Sequence, residues 1–153
     1  MIDEVSLKIL KILQKKARIP NVEVARQVGM APSAVLERIR KLEKQGFIDG
    51  YEVRLNPKRF AKSLVAFVSV KLKKLDAEIK VGQTLSKLPQ VQEVHYVAGE
   101  DAFLVKIRAA DTEALSRLIR DKIAAIAGVQ STQTAIVLST YKETARIPID
   151  KID

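Results

Sequence analysis

The sequence predicts an α+β fold, with helices first and a doubled strand–helix–strand unit behind them. Three observations carry this. Up to Gly46, apolar residues recur at helical spacing. From Ser63 the pattern turns to alternation, with Leu64, Ala66, Val68, Val70 and Leu72 on one side of an extended segment. A strand–helix–strand pattern then appears twice, with the matching corners KLPQVQ and AIAGVQ.

The first helix is expected over residues 3–17, capped by Asp3, with Val5, Ile9, Leu10, Ile12 and Leu13 inward and Lys8, Lys11, Lys15 and Lys16 outward. Pro20 ends it, because the residue before a proline avoids helical geometry. Asn21 is expected to cap a short second helix, VEVARQV, buried through Val24, Ala25 and Val28. Gly29 stops that helix in a left-handed turn. Pro32 suits the first position of a third helix, although Ala31 before it is a weak cap. This helix runs from about Pro32 to Gln45 and ends at Gly46. Val35, Ile39 and Leu42 make its inner stripe, with Leu36 at the edge and Arg38 flanking it. Ser33, Glu37, Arg40, Lys41 and Lys44 point away. A short helix, a glycine turn and a longer helix have the proportions of a helix-turn-helix, which offers its second helix to the DNA major groove.

Tyr51, Val53 and Leu55 alternate as a short strand, followed by a linker that ends near Lys62. Strand LVAFVSVKL, a helix capped by Asp76 with Ile79, Leu85 and Leu88, and strand VQEVHYVA form the first repeat. Strand AFLVKIRA, a helix capped by Asp111 with Leu115, Leu118, Ile119, Ile123 and Ile126, and strand TAIVLSTY form the second. The implied topology is a ferredoxin-like βαββαβ layer, helices on one face of a four-stranded antiparallel sheet. Val65, Phe67 and the apolar last strand suggest that the other face is covered by a second copy, giving a homodimer. The expected organisation is a helix-turn-helix domain over 1–50, a strand and hinge over 51–62, and a dimerisation and sensing domain over 63–153.

Charge separates the same parts. Residues 1–62 hold 14 Lys/Arg against 7 Asp/Glu, whereas residues 63–153 hold 13 against 11. A basic front and a nearly neutral back point to a polyanion met by the front alone, double-stranded DNA being the natural partner. Basic residues also serve solubility, but that role needs no such asymmetry. A membrane anchor is disfavoured, because the narrow apolar arc of the third helix is needed inside a three-helix core. No apolar run approaches the roughly 20 residues of a membrane span, and the N-terminal residues lack the pattern of a secretion signal. The absence of cysteine excludes disulfides and thiolate chemistry. A soluble, cytoplasmic location is expected.

Enzyme chemistry is poorly supplied. His95 is the sole histidine and reads as a partly buried sheet residue. No phosphate loop, HExxH, GxSxG or EF-hand spacing is present, so neither catalysis nor a metal or other cofactor is expected. The turn Gly99-Glu100-Asp101-Ala102 is either a plain hairpin or a small polar site. Its glycine would turn backbone N–H groups to a carboxylate, and its acids would take an ammonium group. Thr132 and Thr134 add hydroxyls on the last strand. That set suits an amino-acid zwitterion.

The whole order resembles the Lrp/AsnC, or feast/famine, family of transcription regulators. The likeness rests on SLKILKILQKKARIPNVEVARQVGMAPSAVLERIRKLEKQGFIDGY, NPKRF, LVAFVSV and GVQSTQTAIVLSTYK, and spans about residues 2–145. It implies a winged-helix-like DNA-binding domain and an αβ-sandwich that dimerises and senses ligand. It further implies assembly into rings, often octamers, with amino-acid effectors bound between dimers. Carried onto this sequence, the DNA-facing residues are Ser33, Ala34, Glu37, Arg38, Arg40 and Lys41, with Asn21 and Arg26 as phosphate contacts. The family's effector loop, Gly-x-x-Asp and an aromatic, corresponds to Gly99 through Phe103, with Ala102 in place of the Asp and Asp101 one residue early. Its Thr-x-Thr is kept as Thr132 and Thr134. Two other functions fit the same sequence features: an architectural DNA-binding protein of weak sequence preference, and a stand-alone small-molecule-binding module.

Overall fold

The computed structural model of the chain describes residues 2–99 and 103–149. The chain divides into two compact units. One holds the residues up to Arg54 together with those from Lys142; the other holds Leu55–Tyr141. The end of the chain therefore groups with the helices, not with the sheet domain to which the expected boundary at residue 63 assigned it.

The helical unit contains α1 (Glu4–Lys15), α2 (Asn21–Val28) and α3 (Pro32–Lys44). Asp3 caps α1 as expected, accepting the Ser6 N–H at 2.7 Å. Asn21 does not cap α2. Pro20 holds that position in an extended conformation, and its carbonyl takes the Glu23 and Val24 N–H groups at 2.9 and 3.2 Å. Asn21 is thus already inside the first turn. Gly29 closes α2 at φ 70°, while the Met30 N–H reaches back to the Ala25 carbonyl at 3.0 Å. Ile9, Leu10 and Leu13 of α1, Val24 and Ala25 of α2, and Val35, Ile39 and Leu42 of α3 form one buried core. Ile149, near the end of the chain, packs against it.

The alternation of Tyr51, Val53 and Leu55 does not become a strand. Those side chains are exposed and the backbone pairs with nothing among the described residues. Alternation supplies a face, but a strand also needs a neighbour.

The sheet unit contains β1 (Leu64–Leu72), α4 (Glu78–Ser86), β2 (Val91–Tyr96), β3 (Phe103–Ala109), α5 (Thr112–Leu118) and β4 (Val129–Ile136). The order β2-β3-β1-β4, antiparallel throughout, is the one expected of two joined βαβ repeats. Ala66, Val68, Val70 and Leu72 face Val81, Leu85, Leu115, Leu118 and Ile123 in a second core. The two corners match in space, each opening a strand at its valine, Val91 and Val129. Asp111 caps α5 through the Ala114 N–H at 2.7 Å. Asp76 caps nothing: it lies in a 3₁₀ turn over Leu75–Ala77 that precedes α4 and leaves Ile79 exposed. Beyond α5 the chain widens into a π-type turn, where the Ala124 N–H reaches the Ile119 carbonyl at 2.8 Å. The last strand begins and ends earlier than TAIVLSTY suggested. Its partner β1 starts at Leu64, so the ladder runs out after the Val137 N–H meets the Val65 carbonyl at 2.9 Å.

Candidate DNA interface and ligand face

The third helix is fixed from behind and open in front. Its core stripe is buried, and Gly29 with Pro32 sets where the helix starts. At about 100° per residue, Ser33, Glu37, Arg40, Lys41 and Lys44 fall within one arc opposite that stripe, and all five are exposed. Arg40, Lys41 and Lys44 make no ion pair among the described residues. Ala34 sits at the edge of the arc, half-buried. The helix start carries no side-chain cap, because Ala31 has none to give. The N–H groups of its first turn are therefore left to an outside acceptor.

Two of the residues expected at DNA are already engaged. Arg38 turns to α1, where its guanidinium binds the Asp3 carboxylate and the Ser6 hydroxyl, the latter at 3.0 Å. The hydrogen bond from Arg38, then that from Ser6, holds the Asp3 carboxyl down at about 2. Arg26 forms a two-point pair with Glu23, Nε to Oε2 at 3.1 Å and Nη2 to Oε1 at 2.7 Å. It remains largely exposed, with 76% of its side chain accessible. Asn21 is half-buried at the start of α2. Behind α3, the Tyr51 hydroxyl donates to Glu43 at 2.9 Å; desolvation first, then that carboxylate, push the phenol up to about 12.

On the sheet unit, Gly99 lies exposed at φ 133° beyond the end of β2. The expected partners Glu100, Asp101 and Ala102 lie outside the described residues. Thr132 is half-buried and Thr134 exposed. They pair with Val70 and Val68, and Val70 pairs on its other side with Phe103, the first residue of β3. Phe103 and Thr132 thus share one end of the sheet but are separated by β1. At about 4.8 Å per strand, the two backbones are roughly 10 Å apart. Between α5 and β4 lies a shallow groove of about 320 Å³ lined by Thr112, Leu115, Ser116, Ile119, Arg120 and Ile136, with none of the expected effector residues in its wall.

The sheet face away from the helices carries Val65, Phe67, Leu104, Ala135 and Val137 in its middle. A charged row crosses it. Lys106, only 9% exposed, binds Glu93 at 3.1 Å, and Glu93 meets His95 at 3.1 Å. His95, then Lys106, lower the Glu93 carboxyl below its usual range. His95 is 58% exposed within the single chain, more open than the partly buried residue expected. No group of three metal-ligating side chains occurs among the described residues.

A glycine-turned helix pair presenting a basic helix, joined to a ferredoxin-like sheet, defines a DNA-binding regulator with a second, sensory domain. Comparison with known families agrees. A winged helix-turn-helix DNA-binding family matches residues 2–49, and the Lrp/AsnC ligand-binding domain matches residues 65–147. The leucine-responsive regulatory protein of Escherichia coli is 37% identical over 150 residues, spanning 97% of this chain and 92% of that protein. Among solved structures, Escherichia coli AsnC superposes with a TM-score of 0.89 at 28% identity, covering 97% of this chain and 99% of that one. A transcriptional regulator of Neisseria meningitidis in complex with L-methionine gives 0.92 at 32% identity, covering 97% of each chain. The chain belongs to the Lrp/AsnC family of transcription regulators.

Proposed function

We propose that this protein is a sequence-specific, amino-acid-responsive regulator that binds near-palindromic DNA as a dimer or a larger ring. The exposed arc of Arg40, Lys41 and Lys44 on a helix held from behind is the observation that carries this reading. Lys41, Lys44 and the open amides at the start of α3 neutralise and bind phosphate, releasing counterions. Ser33, Ala34, Glu37 and Arg40 read base edges, each good two-point contact discriminating by about 1–3 kcal/mol. Asn21 and Arg26 contact the flanking backbone. Arg38 serves the head from within by tying α3 to α1.

The sheet domain pairs two copies and takes an amino acid. A structural relative of Neisseria meningitidis is known with L-methionine, and a feast or famine regulatory protein of M. tuberculosis likewise. Gly99, with the neighbouring Glu100, Asp101 and Ala102, is the proposed carboxylate and ammonium site. Thr132 and Thr134 stand on the far side of β1 from Phe103, and they are read as part of the same ligand site, completed by a second copy. The protein is read as cytoplasmic and without catalytic activity. In vitro selection of duplexes from a random pool, with and without a mixture of amino acids, tests the reading. Enrichment of a near-palindrome whose recovery changes with amino acids is expected, and recovery of unrelated sequences would overturn it.

A further inference from the structure

The stretch 146–149 is bound to the helical head as a peptide would be. Gln14, on α1, meets the backbone of Ile147 from both sides: its Nε2 donates to the Ile147 carbonyl at 3.1 Å, and its Oε1 accepts the Ile147 N–H at 2.9 Å. A side-chain amide used in this way fixes the register of an extended segment. Arg146 donates to the carbonyl of Lys15, the last residue of α1, at 3.4 Å. That oxygen has no partner inside the helix, and a cation suits a helix C-terminus. Ile149 completes the contact against the head core. Between β4 and this segment, Leu138 and Tyr141 are 98% and 99% exposed, so little holds the connection down.

The chain therefore joins the two units twice, once near Arg54 and again near Tyr141. Among the described residues the segment docks through the hydrogen bonds of Arg146 and Ile147 and through half-buried Ile149, with Glu143 also half-buried and the other side chains exposed, the kind of contact that opens locally. It also follows β4, the strand of Thr132 and Thr134, after a short connection. We propose that the segment Lys142–Ile149 is a releasable second tether of the DNA-binding head, and that its docking on Gln14 sets how strongly two heads cooperate on paired half-sites. A head tied twice ranges over a smaller volume, so the second head of a dimer meets its half-site at higher effective concentration. This rests on the reading of a dimer that binds two half-sites.

The test uses the full chain and two variants, with a duplex recovered by selection and the same duplex with one half-site scrambled. In Gln14→Cys/Ile147→Cys the amide clasp is lost, and a short bismaleimide re-forms the link in a chain with no other cysteine. Gln14→Ala repeats the loss without a thiol. The intact chain should prefer the paired duplex strongly. Both uncrosslinked variants should lose roughly tenfold of that preference while binding the single half-site as before, and crosslinking should restore it. Undiminished preference in both variants would overturn the tether alone. Loss of single-half-site binding as well would also overturn it, reducing the segment to a part of the head core. An intact chain with no preference for paired half-sites would sink the dimer reading, and the tether with it.

Discussion

The Asp3 carboxylate serves two helices at once. One oxygen accepts the Ser6 N–H at the start of α1, and the other binds the Arg38 guanidinium on α3. A capping side chain thereby ties the first helix to the third.

The first prediction follows from that double duty. Asp3→Ala should cost about 1 kcal/mol through the lost cap. Asp3→Asn, which keeps a capping oxygen, should cost less, since an exposed ion pair contributes at most about 1 kcal/mol. The carboxyl is depressed from 3.8 to about 2 in the folded protein. Its ionic contribution is therefore complete above the unfolded value and is lost as pH falls through the folded one. In urea unfolding, the stability gap between the unaltered chain and Asp3→Asn should be the same at pH 7 and pH 5, then narrow between about pH 4 and pH 2. An unchanged gap across that window would refute the pairing.

Second, Arg40→Ala/Lys41→Ala should weaken promoter binding and flatten its salt dependence, by about 0.9 in log–log slope for each phosphate contact removed. Arg38→Ala should instead lower the stability of the head, because its guanidinium is committed to Asp3 and Ser6. Binding isotherms between low and moderate salt, set beside urea midpoints, separate the two. Normal affinity in the double variant would remove α3 from the proposed interface.

Much of the fold is legible because the signals are local. Pro32 and Gly46 bound α3 where the sequence places them, since each acts through its own φ. The alternation of LVAFVSVKL locates β1 because both faces have a use. Contacts between residues far apart in sequence leave no such local signal. Nothing at Arg38 announces Asp3, 35 residues away, and nothing at Gln14 announces Ile147, 133 residues on. Ile147 and Ile149, alternating in a polar tail, are the one visible sign of docking. Asp76 and Asp111 look alike as caps, but a 3₁₀ turn intervenes only after Asp76. The proposed site on α3 is readable from periodicity, whereas the proposed ligand site draws on separate strands and has no such local pattern.

Third, two glycines with left-handed backbones should respond differently to alanine. At Gly29, φ 70°, an added Cβ meets nothing within 4 Å, so only backbone strain of about 1–2 kcal/mol applies. At Gly128, φ 102°, the new Cβ would stand 2.8 Å from the Ala77 Cβ and 3.2 Å from Val81. Overpacking adds about 1–3 kcal/mol there. Gly128→Ala should therefore unfold at clearly lower urea than Gly29→Ala. Equal midpoints would mean that the corner before β4 yields more easily than its packing implies.

The last prediction concerns the sheet face turned away from the helices. Phe67 stands at its centre, opposite Lys106 on β3 and Ala135 on β4. Val65 lies two residues before it and Leu104 one rung along, across from Ser69. A stable pairing of copies needs about 800 Å² from each partner, and this largely apolar centre, with Lys106 tied to Glu93 and with His95 and Arg108 beside it, has the make-up of such a patch. Phe67→Lys would set a second ammonium beside the nearly buried Lys106 while leaving the helix-facing core untouched. The variant should keep its circular dichroism, sediment as a monomer and lose the preference for paired half-sites. Sedimentation as an unaltered dimer would move the subunit contact to another surface.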